Sequence, residues 1–194
     1  MLVDGTLRWP VDDGVVVWEA AASRAMTLGA IGRGAVTWDV VVPAGRVTGA
    51  GIPPGQIGYA ERLVLRVAPW RLGIETLRWG RFCGYSSSLA WVEWVGTDPV
   101  SASLLDGRPA RLFEASFERV VADDVELVME IARPFVECAL GDGLLRNMPW
   151  PSRIMPHAFL SGHERKYAGR GLLCRKGRVP EEGQVLFEEV CWSR

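Results

Sequence analysis

Polar and apolar positions alternate with a period of two through most of this chain, and Gly, Pro and Asp cut the alternating runs at short intervals. The runs predict strands over 6–9, 14–21, 35–42, 45–52, 58–67 and 76–83. Further strands are expected over 88–95, 100–106, 109–121, 124–131, 157–160, 166–174 and 185–192. Hairpin signals sit at Asp13-Gly14, Asp106-Gly107 and Asp142-Gly143, and 122–124 reads as a turn. No segment carries a long apolar period of 3.6 residues, and 137–147 is read as a short helix or turn. Strands this numerous and this evenly spaced predict an all-β antiparallel barrel or sandwich. The proline cluster Met148-Pro149-Trp150-Pro151, with Pro156 behind it, is the strongest internal punctuation. The chain is therefore read as one β unit over 1–194, with an internal break near 148–156.

The run 58–67 carries the most information about chemistry. Alternation places Tyr59, Glu61, Leu63, Leu65 and Val67 on one face and Ala60, Arg62, Val64 and Arg66 on the other. The two arginines mark the second face as solvent, so Glu61 goes inward with three aliphatic side chains. A carboxylate taken out of water must be paired, hydrogen-bonded or protonated. A protonated acid in an apolar chamber can give its proton to a hydrophobic substrate.

Composition narrows the partners. Hydrophobic residues make up 48% of the 194, and the formal net charge of −1 offers no electrostatic footprint for nucleic acid. No apolar stretch reaches the roughly 18 residues of a membrane span, and no leader is visible, so a cytoplasmic location is expected. The oligomeric state stays open, a homodimer included. The four cysteines are scattered, which predicts reduced, small core residues. Nine tryptophans are unusual: they either fill a β core or line a hollow for a flat or unsaturated ligand.

Two other stretches join strand geometry to unusual residues. Around 77–82 and 89–94, Trp79, Trp91 and Trp94 are candidate cavity walls, Glu93 is a second inward carboxylate, and Arg78 and Arg81 are available to pair with buried acids. Gly80 inside a strand pattern marks a place of close approach. In 184–192, Leu186, Glu188, Val190 and Trp192 share a face, and Glu188 is the expected inward acid. Two carboxylates in one dry chamber would divide into an acid and a base. His157 is a candidate substrate-binding or acid–base group, and His163 a hydrogen-bonding partner. The His157, His163 and Glu164 spacing matches no metal signature, and no nucleophile elbow, phosphate loop or dinucleotide fingerprint occurs, so no metal or cofactor is expected.

The stretches 58–63, 77–82, 90–94, 163–167 and 188–192 resemble the lipocalin-like group that includes carotenoid 1,2-hydratase (hydroxyneurosporene synthase) and the AttH proteins. The resemblance covers short Trp/Gly/Glu motifs over roughly the last two-thirds of the chain. It implies a calycin-type antiparallel barrel, or two abbreviated barrels packed together, around an apolar cavity. The activities it implies are acid-catalysed hydration of a polyene or cyclisation of polyketide or terpenoid precursors. One departure is Phe187, which stands where related sequences more often carry histidine and so implies a drier cavity. The resulting expectation is a cofactor-independent enzyme that cyclises, isomerises or hydrates a hydrophobic unsaturated metabolite. Glu61 would be its proton donor, Tyr59 the orienting group and Glu188 the second carboxylate; the alternative is a carrier of a lipophilic small molecule.

Overall fold

The computed structural model describes residues 2–3, 5–19, 24–31, 34–49, 51–130, 133–143 and 155–192. In chain order the strands begin with β1 (Leu2–Val3), β2 (Thr6–Val11), β3 (Gly14–Trp18), β4 (Arg24–Ile31), β5 (Gly34–Gly49) and β6 (Ile57–Leu65). These six form one antiparallel sheet, in which the long β5 pairs with β3 and β4 on one edge and with β6 on the other. After a 3-10 turn at Pro69–Arg71 come β7 (Ile74–Gly84), β8 (Ser88–Gly96), β9 (Val100–Leu105), β10 (Arg108–Ala110) and β11 (Leu112–Ala115). The chain continues through β12 (Arg119–Ala122), β13 (Val125–Glu130), β14 (Pro134–Ala139), the single helical turn α1 (His157–Leu160), β15 (His163–Arg175) and β16 (Glu181–Cys191).

The second sheet runs β10-β9-β8-β7-β16-β15-β13-β12-β11, with β14 beside β13 on the edge of β15. Its last strand, β11, returns against β8 and β9, so the sheet curls into a near-closed barrel. The first sheet is a half-barrel, and together they make the lipocalin-like all-β fold. No helix among the described residues is long and apolar enough to cross a membrane.

Alternation explains how one sheet serves two cores. On β7, β8 and β16 the positions Phe82, Leu89, Trp91, Val185 and Phe187 turn into the barrel and meet Val120, Val125 and Leu127 from the far side. This interior is packed solid: Trp91 stacks on Phe187 with centroids 6.3 Å apart, and both rings are essentially out of water. Each such side chain contributes about 1.5–3 kcal/mol of burial. The intervening positions Ala90, Val92 and Trp94 turn outward and pack on Val36, Trp38 and Val40 of β5. Gly80 sits where the indole of Trp91 crosses β7, and a Cβ there would run into Trp91 Cζ2.

Several expectations are corrected. The strands expected at 35–42 and 45–52 are one strand, because Pro43 falls at a pair of register shifts on β5 that spare it from donating to the ladder. The strand expected at 109–121 is three, since Ser116 and Arg119 close a tight turn with no Gly or Pro to announce it. Residues 157–160 form a helical turn, not a strand, with Leu160 N and Ser161 N reaching back to Pro156 O and His157 O. Residues 137–139, expected in a helix or turn, are the end of β14, while 140–143 do turn. Of the break near 148–156, residues 148–154 lie outside the described residues. The Asp106-Gly107 hairpin is as expected, with both residues at positive φ (51° and 70°), the signature of a primed turn.

Candidate functional site

Between the two sheets lies a cavity of about 450 Å3. One wall is the β5–β6 face, which supplies Trp38, Glu61, Leu63 and Leu65. The opposite wall is the outer face of the barrel, with Leu77, Trp79, Val92 and Trp94. The end is closed by Met155, Phe159 and Trp192. Phe159 stacks on Trp192 with centroids 5.4 Å apart and meets the edge of Trp70 at 6.0 Å, and Trp192 Nε1 donates to Phe159 O at 2.9 Å. Leu63 and Leu65 are 48% and 37% exposed, so the cavity opens to solvent along β6.

Among the described residues that line this space, Glu61 is the one ionisable side chain. Its Oε2 accepts two hydrogen bonds, from Trp38 Nε1 at 2.6 Å and from the Tyr59 hydroxyl at 2.5 Å. Tyr59 is two residues away on the same face of β6, and Trp38 reaches across from β5, where Val40 is the residue paired with Glu61. With both donors on Oε2, Oε1 is the oxygen left for a ligand. Burial, then the charge and hydrogen bond of Glu61, pushes the Tyr59 phenol well above its ordinary range, against the opposing pull of Arg81 and Trp38. The phenol is thus held as a hydrogen-bond donor.

A second polar group lies behind the wall. Lys166 Nζ stands 3.2 Å from Glu164 Oε1 and 3.2 Å from Glu188 Oε2, with Glu164 fully buried and Glu188 nearly so. Burial raises the Glu188 carboxyl above its ordinary range, against the pull of Lys166 and Arg81. Burial acts to lower the Lys166 ammonium, but Glu188 and Glu164 outweigh it and its pKa is raised.

The structure therefore brings together Glu61, Tyr59, Trp79 and Trp94 from the sequence reading and separates the rest. Glu188 is on the expected face of β16 but spends its carboxylate on Lys166 rather than on the cavity. Trp91 is in the barrel core, and Phe187 beside it faces the same interior, so its side chain bears on the barrel and not on the dryness of the cavity. Glu93 and Arg78 point to the barrel side as well: Arg78 Nη1 lies 3.3 Å from Glu93 and its Nε 2.8 Å from Glu189. His157 is exposed at the start of α1, and His163 Nε2 pairs with Glu137 Oε1 at 3.0 Å. Trp38, Phe159 and Trp192 were not singled out as wall residues. The signal for Trp38 was present, since Val36, Trp38, Val40 and Val42 form a period-2 apolar run.

No protein-family model matches the sequence, and neither does any curated protein. Among solved structures the chain is similar to kievitone hydratase from Nectria haematococca, with a TM-score of 0.54 at 10% identity, over 96% of this chain and 65% of that one. It also aligns with an AttH-type protein from Nitrosomonas europaea, with a TM-score of 0.46 at 14% identity, over 96% of this chain and 64% of that one. The chain thus spans about two-thirds of the length of these structures. The likeness to kievitone hydratase agrees with a lipocalin-like all-β fold, as the resemblance to the AttH and carotenoid hydratase group implied.

Proposed function

We propose that this protein is a cofactor-independent acid–base enzyme that protonates a carbon–carbon double bond of a hydrophobic small molecule held between the two sheets. The observation that carries this reading is the Glu61 carboxyl, fixed through Oε2 by Trp38 and Tyr59 inside walls whose other described residues are apolar or aromatic. Oε1 carries the transferable proton. Its delivery to one alkene carbon leaves a cation on the other, which the indole faces of Trp79 and Trp94 stabilise. Water then attacks the cation, the new carbon–oxygen bond forms, and the proton released by that water returns to the Glu61 carboxylate. Hydration is favoured because kievitone hydratase, by its name a hydratase, shares the fold. Isomerisation and cyclisation of a terpenoid- or polyketide-like substrate begin with the same protonation and end in proton loss or ring closure. The outlying residues Trp91, Glu93, Arg78 and His157 are assigned no contact with substrate.

The test is turnover of a panel of terpenoid and prenylated aromatic alkenes in deuterated water, followed by mass spectrometry. Wild type should place deuterium on carbon, and Glu61→Gln should bind the same compounds, by tryptophan quenching, without doing so. Equal turnover by Glu61→Gln removes the acid from the reaction. A second reading, a carrier of lipophilic molecules, draws on the fact that Glu61 Oε2 already holds two donors and every other described lining residue is apolar or aromatic. It predicts tight quenching with every ligand recovered free of deuterium.

A further inference from the structure

Arg81 lies two residues beyond Trp79 on β7, so alternation turns both side chains to the face that carries the cavity. Its guanidinium carbon stands 4.6 Å from the centroid of the Tyr59 ring, and Tyr59 is the donor to Glu61. On its other side Arg81 acts on Glu188: in the β7–β16 ladder Arg81 pairs with Leu186, and Trp79 with Glu188. Glu188 passes to Lys166, and Lys166 to Glu164. Formal charges therefore alternate along this face, in the order Glu164, Lys166, Glu188, Arg81 and, through the Tyr59 ring, Glu61. The first four cancel. Glu61 is the member whose charge must change when a proton is given.

We infer that Arg81 is a positioning residue for the Glu61 acid: it clamps the Tyr59 ring so that the phenol keeps donating to Oε2, and it supplies the positive charge beside which the carboxylate forms after proton transfer. This role rests on the reading of Glu61 as the proton donor. A planar, weakly hydrated guanidinium suits the face of a phenol better than an ammonium does. The balance at Tyr59 supports the division of labour. A cation alone would make the phenol more acidic, but burial and Glu61 outweigh Arg81, so the hydroxyl stays protonated while the ring is held. The groups that act on the couple are Trp38 from β5 and Arg81 from β7, and Glu188 from β16, with Lys166 and Glu164 from β15, is linked to it through Arg81. The pair Asp39–Arg62 (2.8 Å) occupies the reverse face of the β5–β6 ladder.

The chain has three tyrosines, so labelled-tyrosine NMR separates Tyr59 from Tyr85 and Tyr167, with Tyr59→Phe giving the assignment. Arg81→Met should speed the flipping of the Tyr59 ring and the exchange of its hydroxyl proton about tenfold, leaving Tyr85 and Tyr167 unchanged. Arg81→Lys should fall between the two. With a substrate found by the alkene panel, Arg81→Met should lower kcat about tenfold at unchanged KM, and Arg81→Lys should recover part of it. A folded Arg81→Met protein with wild-type Tyr59 signals overturns the inference. If that variant does not fold, Glu188→Gln reads the same clamp with the opposite sign. It removes the charge on β16 that acts on Arg81 and should slow Tyr59 flipping and exchange, and no change there overturns the inference equally. The two readings fail separately: full turnover by Glu61→Gln removes the acid and this role with it, whereas undisturbed Tyr59 signals remove Arg81 and leave the acid in place.

Discussion

Trp38 donates its indole proton to Glu61 Oε2 at 2.6 Å across the β5–β6 ladder, 23 residues away in sequence. The donor and acceptor belong to neighbouring strands of one sheet, so the bond is built into the register rather than into a loop. Glu61→Gln retains a carbonyl oxygen able to accept from both Trp38 and Tyr59. Its melting temperature is expected to stay near that of wild type while turnover is lost. Trp38→Phe removes the bond and part of the wall and should destabilise by about 2 kcal/mol, and Tyr59→Phe by about 1 kcal/mol. Chemical denaturation of the two single variants and the double variant, each with and without Glu61→Leu, which removes the acceptor, should show the coupling running through the Glu61 side chain.

Lys166 holds two acids that are both out of water. Lys166→Met leaves them facing each other and should cost about 3–5 kcal/mol. The triple variant Lys166→Met, Glu164→Gln, Glu188→Gln removes the charges together and should recover most of that loss. A denaturant titration of the two proteins measures the difference, and an equal loss in both would assign the effect to shape rather than charge.

Stability should fall at alkaline pH, with Cys83, Lys166 and Tyr59 among the groups responsible. Burial pushes the Cys83 thiol up to about 11 from an ordinary 9.0. Its folded value is the higher one, so the stability it contributes is complete below 9 and is lost as the pH rises through 11. The Lys166 ammonium is also raised and adds a loss that begins above its ordinary 10.5. Cys83→Ala should flatten the decline between about pH 9 and 11 by about 2 kcal/mol in thermal or urea unfolding, leaving the losses that belong to the other groups.

Acid should loosen the β7–β8 hairpin first. Burial acts to raise the Glu181 carboxyl, but hydrogen bonds from Ser86 and Ser87 outweigh it and hold it below its ordinary value. Its contribution is present above the ordinary carboxylate range and is lost as the pH falls through the lowered folded value. Amide exchange at Ser86 and Ser87 should rise there before the rest of the barrel responds, and Glu181→Gln should show the faster exchange at every pH.

Gly80→Ala places a methyl group against the ring of Trp91 and 2.8 Å from Leu186 O. Both neighbours belong to a close-packed region, so the variant should lose about 1–3 kcal/mol and disturb the near-ultraviolet signal of the barrel core. An unperturbed spectrum would mean the ladder yields more easily than its packing implies.

Residues whose role follows from alternation alone were legible in the sequence. Glu61 with Leu63 and Leu65, the shared face of Glu188, Val190 and Trp192, and the close approach at Gly80 all follow from a period of two. Alternation names the two faces of a strand but not what covers each. That is why Trp91 and Trp94, three apart on one strand, could both be read as walls when one fills the barrel and the other faces the cavity. Pairings across the fold were out of reach for the same reason. The choice of Lys166 by Glu188, and of Trp38 by Glu61, is fixed by strand order, which no local pattern encodes. The turn at 116–119 was hidden because serine closed it without glycine or proline.

The cavity shares β7, β8 and β16 with the barrel but none of the side chains that fill it. Enlarging or reshaping the binding space at Leu63, Leu65 or Phe159 would leave the stacked rings inside untouched. Stability and ligand choice are carried by opposite sides of the same strands, so a lineage with this architecture could change its guest without first rebuilding its scaffold.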